Sequence, residues 1–168
     1  SNPSNALIFL DEKNTGRYTP DTLIYVSDGK HLITLRLPYY KDSTVSSQVN
    51  EGSVENVFVD FTENPSMRGS IAFNSDPVGV NVILNDSINV GVSPTEITNL
   101  LPGEYFINYS LNGFRDRSFT QIVESGKQAG AYAVLTDTTV WVDYSTFNSG
   151  LLSNNLNVLT IDQDNIVW

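Results

Sequence analysis

Residues 102–113 read Pro-Gly-Glu-Tyr-Phe-Ile-Asn-Tyr-Ser-Leu-Asn-Gly: a turn, an alternating apolar strand over Glu104 to Leu111, and a second turn at Asn112-Gly113. Seventy-four positions earlier, residues 28–39 read Asp-Gly-Lys-His-Leu-Ile-Thr-Leu-Arg-Leu-Pro-Tyr. Gly29, Ile33 and Leu37 fall on Gly103, Ile107 and Leu111. In the upstream stretch Leu32, Thr34 and Arg36 alternate with Ile33, Leu35 and Leu37, which predicts one wet and one buried face.

The same offset extends outward without a gap. Pro3 meets Pro77, Leu10 meets Leu84, and Thr19-Pro20 meets Ser93-Pro94. Asp42, Val49, Gly52 and Thr62 meet Asp116, Val123, Gly126 and Thr136. These matches fall on turn residues and alternating apolar sites, so they mark a tandem duplication. Further alternating runs are Ala6 to Leu10, Val54 to Phe61, Ser70 to Phe73, Val80 to Leu84, Phe119 to Glu124 and Ala131 to Leu135. No apolar period of 3.6 residues lasts long enough for a helix. The expected fold is all-β: two tandem small β-sandwiches of Ig-like or prealbumin-like type, over residues 1–63 and 67–137. A polar linker, Glu63-Asn64-Pro65-Ser66, joins them as a semi-rigid connection.

Composition narrows the function. The chain has 168 residues, 40% hydrophobic and 17% charged, enough for a packed core. With 19 acidic residues against 9 Lys and Arg, its net charge of -10 repels phosphates, which argues against nucleic acid. It has no cysteine and one histidine, so disulfides, thiolate metal sites and multi-His sites are out. No apolar run reaches the roughly 18 residues of a membrane helix, so no membrane insertion is expected.

The ordered residues resemble the PEGA repeat. In the second copy they are Pro77-Val78-Gly79-Val80, Asn85-Asp86, Gly91, Ser93-Pro94, Pro102-Gly103-Glu104-Tyr105, Asn112-Gly113-Phe114 and Gly126. In the first they are Pro3-Ser4-Asn5-Ala6, Asp11, Gly16, Thr19-Pro20, Asp28-Gly29-Lys30-His31, Tyr39-Tyr40 and Gly52. The name-giving tetrapeptide is intact in neither copy, and Tyr39 stands where glycine is expected. The resemblance implies extracytoplasmic spacer or interaction modules of bacterial surface proteins, at the cell surface or in the periplasm, with a lipoprotein as one form of the full-length protein. It implies no catalytic residue, no cofactor and no metal.

Residues 138–168 do not continue the repeat. Asn148-Ser149-Gly150-Leu151, Ser153-Asn154, Asp162-Gln163-Asp164-Asn165 and a closing Trp168 resemble one repeat of the two-component-regulator β-propeller family. A partial propeller blade and a C-terminal β-hairpin are the two readings. Asp162-Gln163-Asp164 reads as a turn rather than a calcium loop.

Tyr39, Tyr40 and Phe114 lie at hairpin ends and are the candidate ligand contacts. They are read as structural anchors, or as stacking surfaces for a sugar or a protein. His31 is read as an aromatic-like filler or edge residue rather than a general base. Expected partners are other domains of the same surface protein, protein partners or cell-surface glycans. The leading expectation is a non-enzymatic spacer and interaction module; the alternative is a carbohydrate-binding accessory of a polysaccharide-processing system. The first copy lacks a counterpart to Gly69-Ser70-Ile71-Ala72-Phe73. Its open edge is expected to be filled by the segment near Val140 or by another molecule, in one form as a strand-exchange homodimer.

Overall fold

The computed structural model describes residues 1–138 and 145–147. Residues Ser1–Thr136 form one compact unit and Asp137–Trp168 a second. The blade or hairpin expected over 138–168, Trp141, Trp168, the Asp162 turn and the edge-filling segment near Val140 lie outside the described residues.

The described architecture is all-β. The first copy contains β1 (Leu7–Leu10), β2 (Lys13–Tyr18), β3 (Gly29–Arg36) and β4 (Ser43–Val49). The second contains β5 (Gly69–Asp76), β6 (Asn81–Leu84), β7 (Ile88–Val92), β8 (Thr95–Leu100), β9 (Gly103–Ser110), β10 (Arg117–Val123) and β11 (Gln128–Val134). One turn of 3-10 helix, Pro65–Met67, joins the copies.

The second copy has two sheets, ordered β10-β9-β6-β7 and β11-β5-β8. Strand β5 is central to the smaller one. It pairs in parallel with β11 from Ser70↔Gln128 to Asp76↔Val134, and antiparallel with β8. Period-two alternation turns Ile71 and Phe73 inward, and both are fully buried. They meet Val82, Leu84, Ile107, Tyr109, Val123, Ala131 and Ala133 in one cluster. Burial of each large apolar side chain here is worth about 1.5–3 kcal/mol. Tyr109 carries a hydroxyl into that cluster and satisfies it by donating to the Ala131 carbonyl, 2.9 Å away on the other sheet. Burial holds its phenol at a pKa of about 12. Its ring stacks on Phe119 with centroids 5.9 Å apart.

The first copy repeats only the larger sheet, as β2-β1-β3-β4. The duplication extends to individual hydrogen bonds at the same offset. Asn5 N donates to Thr19 O and Gly79 N to Ser93 O, both at 2.7 Å. Ser1 Oγ donates to Pro3 O and Ser75 Oγ to Pro77 O, both at 2.6 Å. At the first hairpin Asp11 and Glu12 have φ 48° and 66°, and Asn85 and Asp86 have 49° and 56°. Asp and Asn tolerate that left-handed pair, as the tight hairpin requires. Each also accepts from a neighbouring strand: Leu32 N to Asp11 Oδ1 and Phe106 N to Asn85 Oδ1, both 2.9 Å.

The expectation of a strand over Val54 to Phe61 is not met. Residues 54–59 carry no strand; only Asp60 bridges, in parallel, to Asn2. The alternation there is real, but a strand also needs a neighbour. In the second copy that neighbour is β5; in the first, Ser1 and Asn2 are the described residues that stand at its place.

Gly69 shows how tightly β5 is seated. A Cβ at Gly69 would lie 2.6 Å from both Lys127 O and Val123 Cγ1, and 2.8 Å from Glu124 O. A Cβ at Gly130, on the neighbouring β11, would meet nothing within 4 Å. Gly69→Ala is expected to destabilise the protein by about 1–3 kcal/mol through overpacking. Gly130→Ala is expected to be neutral or slightly stabilising. Urea unfolding of the two variants checks the contrast.

Candidate functional site

The candidate site is the joint between the copies, where conserved repeat geometry gives way to contacts that only one copy makes. The linker is pinned rather than tethered. Asn64 caps the 3-10 turn, its Oδ1 accepting from Ser66 N at 3.0 Å and from Ser66 Oγ at 2.9 Å. Met67, at the end of that turn, is buried with Ala6, Ile8, Leu35, Leu37 and Phe61 of the first copy. Met67 O accepts from Ser125 Oγ of the second copy at 3.1 Å. Arg68 spans both copies: Nη2 donates to Thr62 O at 2.9 Å and Nη1 to Asn99 O at 3.0 Å. Gly126 N donates to Arg68 O at 3.2 Å.

Tyr39 is the second tie. Its φ is +69°, at the position where the second copy has Gly113, φ +82°. A bulky residue there costs about 1–2 kcal/mol. Two bonds from the second copy hold it: Ser125 N donates to Tyr39 O at 2.8 Å, and Tyr39 Oη donates to Glu104 Oε1 at 2.7 Å. Each is worth about 0.5–1.5 kcal/mol, so together they offset the backbone cost. That bond, with the nearby carboxylate charge, raises the Tyr39 pKa.

Tyr40 and Phe114 turn elsewhere. Tyr40 sits edge-on to Phe61, centroids 5.4 Å apart, against the first copy's cluster. Phe114 packs half-buried on the second copy's cluster. Tyr40 and Phe114 are thus held by different clusters, and Tyr39 by bonds from the second copy. Sequence reasoning missed Met67, Arg68 and Ser125. The available signal was a lone methionine just after a four-residue polar linker.

His31 is buried, and both its nitrogens face acceptors: Nδ1 lies 2.7 Å from Asp11 Oδ2 and Nε2 2.9 Å from Ser27 O. Only the imidazolium donates at both positions. Its pKa is raised, first by the Asp11 bond and then by the Ser27 carbonyl. At the equivalent place Tyr105 Oη donates to Leu101 O at 2.8 Å, so His31 repeats a structural bond. Asp11 is pushed below its usual range, first by the Leu32 N–H and next by His31. Asp60 is held at about 2 by Asn2 Nδ2, by Thr62 Oγ1 and by backbone N–H groups. Among the described residues no group of three His, Cys, Asp or Glu could hold a metal ion.

A PEGA domain family model matches the chain twice, over residues 1–65 and 68–143. No curated protein matches it. Among solved structures, one titled "The Bacillus anthracis TIE protein" is 13% identical, with a TM-score of 0.34, and the match covers 80% of this chain. This chain spans about a third of that one, 34%.

Two outcomes follow from this geometry. Met67→Ala removes a buried side chain at the joint and is expected to cost about 2–5 kcal/mol in thermal or urea unfolding. His31 is expected to titrate above 6.5 when its ring protons are followed by NMR. Its raised pKa contributes stability that is complete below 6.5 and is lost as pH rises through the folded value. His31→Phe is therefore expected to flatten the stability–pH curve on that alkaline side, and an unchanged curve would exclude the pair as its source.

Proposed function

The chain belongs to the PEGA domain family, and on that premise we propose that it is a non-enzymatic, extracytoplasmic spacer and interaction module of a larger bacterial surface protein. PEGA domains are typically extracellular or periplasmic, and often spacer-like. The family is non-catalytic. Among the described residues no helix is long and apolar enough to cross a membrane.

The observation that carries the spacer reading is the joint. A spacer transmits position only if its repeats hold a fixed angle. Met67 is packed into one copy and bonded to the other through its backbone, and Arg68 and Tyr39 bridge the two. Such ties oppose the free rotation that a flexible polar linker would allow. The working units in this reading are 1–63 and 67–137, with 138–168 as a partial propeller blade or a C-terminal β-hairpin. A lipid anchor in the full-length protein and protein or glycan partners belong to the same proposal. Carbohydrate contact would use the exposed part of Tyr39 beside Tyr40, and a glycan array of the protein against a Tyr39→Ala/Tyr40→Ala variant tests it.

Backbone ¹⁵N relaxation tests the spacer reading. The two copies are expected to share one rotational correlation time. A triple variant, Tyr39→Phe with Arg68→Ala and Ser125→Ala, which removes the side-chain ties and leaves the buried Met67 in place, is expected to give two shorter ones while each copy stays folded. Independent tumbling of the unaltered copies would overturn a positional role. Fractionation of the source cells, with the protein outside the cytoplasmic membrane, tests the location.

A further inference from the structure

The smaller sheet of the second copy has an outer face as well as a buried one. Period-two alternation sends Ile71, Phe73, Ala131 and Ala133 inward, where all four are buried. The residues between them therefore point outward. Register lays these in rows across the sheet: Gln128 beside Ser70, Gly130 beside Ala72 and Glu96, and Tyr132 beside Asn74. The middle of this face is low. A Cβ at Gly130 would meet nothing within 4 Å, and Ala72 has only its methyl. Its borders are tall. Gln128 and Glu96 stand on opposite sides of β5, and Gln128 Nε2 donates to Glu96 Oε1 at 2.8 Å, so their bond arches over that strand. On the other side Tyr132 is 61% exposed, with Val134 at 59% one pleat further on. Gln128 and Tyr132 are four residues apart, about 13 Å along the strand. The result is a trough floored by Gly130 and Ala72, between an amide–carboxylate bond and an aromatic side chain. In the first copy Asn56 stands at the offset of Gly130, Val54 at that of Gln128 and Thr22 at that of Glu96, so the trough belongs to the second copy alone.

The backbone does not recognise a ligand here, because β5 is bonded on both sides and offers no edge. Recognition falls to side chains. Tyr132 supplies an apolar ring with a polar tip. Among the described residues neither its hydroxyl nor the Asn74 amide beside it has a hydrogen-bond partner. The Gln128–Glu96 bond leaves the Gln128 carbonyl and Glu96 Oε2 as acceptors. An apolar ring bordered by donors and acceptors suits a ligand with apolar faces and a hydroxylated rim, which is the construction of a pyranose. A protein partner would need a cluster of large anchors, and only Tyr132 and Val134 provide such area. Charge narrows the choice of sugar. Glu96 and Asp76 are acidic, and the cations bordering the far end are already engaged, Arg68 by the Thr62 and Asn99 carbonyls and Lys127 by Glu124. A uronic acid would be repelled by this face and by the net charge of -10.

We propose that this trough is a binding site for a neutral oligosaccharide. One pyranose lies on Gly130 and Ala72 with a face against Tyr132, and its hydroxyls bond Asn74, Gln128 and Glu96. The site is distinct from the glycan contact considered at Tyr39 and Tyr40, and it needs neither that contact nor the spacer reading.

Titration of the full chain with cellotetraose, maltotetraose and chitotetraose, followed by ¹H–¹⁵N NMR, tests the site. At least one of the three is expected to shift the Gly130 and Tyr132 backbone amides and the Asn74 side-chain amide, with a millimolar Kd. Tetragalacturonate is expected to shift none of them. Tyr132→Ala is expected to weaken binding about tenfold, the loss of one aromatic contact. Gly130→Val, which fills the floor, is expected to abolish it. Both side chains would lie on the exposed face, and urea midpoints close to that of the unaltered chain verify that the variants are folded. No shift from any of the three sugars at about 10 mM, well above a millimolar Kd, would overturn the site. Shifts confined to Tyr39 and Tyr40, equal shifts from tetragalacturonate, or binding that survives Gly130→Val would also overturn it. So would broadening of the same amides with protein concentration alone, which would give the face to a second copy of the chain.

Discussion

The complete copy depends on one strand that is bonded on both sides. β5 pairs with β8 and β11, and it sends Ile71 and Phe73 into the same cluster that the opposite sheet fills with Val82, Leu84, Ile107 and Tyr109. A central strand satisfies the backbone groups of two neighbours as well as its own, so its loss leaves two edges unpaired, not one. In the first copy the larger sheet is formed, while among the described residues the segments matching β8 and β11 carry no ladder. Sheet formation here is a property of the neighbourhood, and local alternation sets only which face each residue would present.

That distinction explains what was legible in the sequence. Turns were, because Asp11, Asn85, Gly103 and Pro94 act within a few residues of themselves. The duplication was, because it fixes the same bonds at the same offset. The strand expected over Val54 to Phe61 was not met: its pattern is right, and its partner lies outside the pattern. The joint was illegible for a related reason. Tyr39 read as a hairpin-end aromatic open to a ligand, by substitution at a position where glycine is expected. In the fold that substitution is what lets the side chain reach Glu104 while its carbonyl accepts from Ser125. A contact across copies leaves no periodic trace.

The repeats diverge where each meets something the other does not. His31 and Tyr105 keep one bond, to the carbonyl four residues back, through different chemistry. The histidine adds a second partner, Asp11, where the second copy has the neutral Asn85. Tyr39 and Gly113 keep one backbone conformation, and only the tyrosine ties the copies together. In each pair the backbone role is held and the side chain is free to take on a new contact.

This division bears on how such a module works. Its surface carries excess negative charge along its length, which opposes nonspecific association with other acidic surfaces. Position must then come from inside the chain, through the buried Met67, the Arg68 span and the Tyr39 tie. Most of these contacts end on backbone carbonyls or N–H groups, which the sheets fix in place. A side chain bonded to a rigid backbone transmits orientation better than one bonded to another mobile side chain, since only one partner has rotamer freedom to lose. The joint therefore holds its angle through a few bonds of ordinary strength.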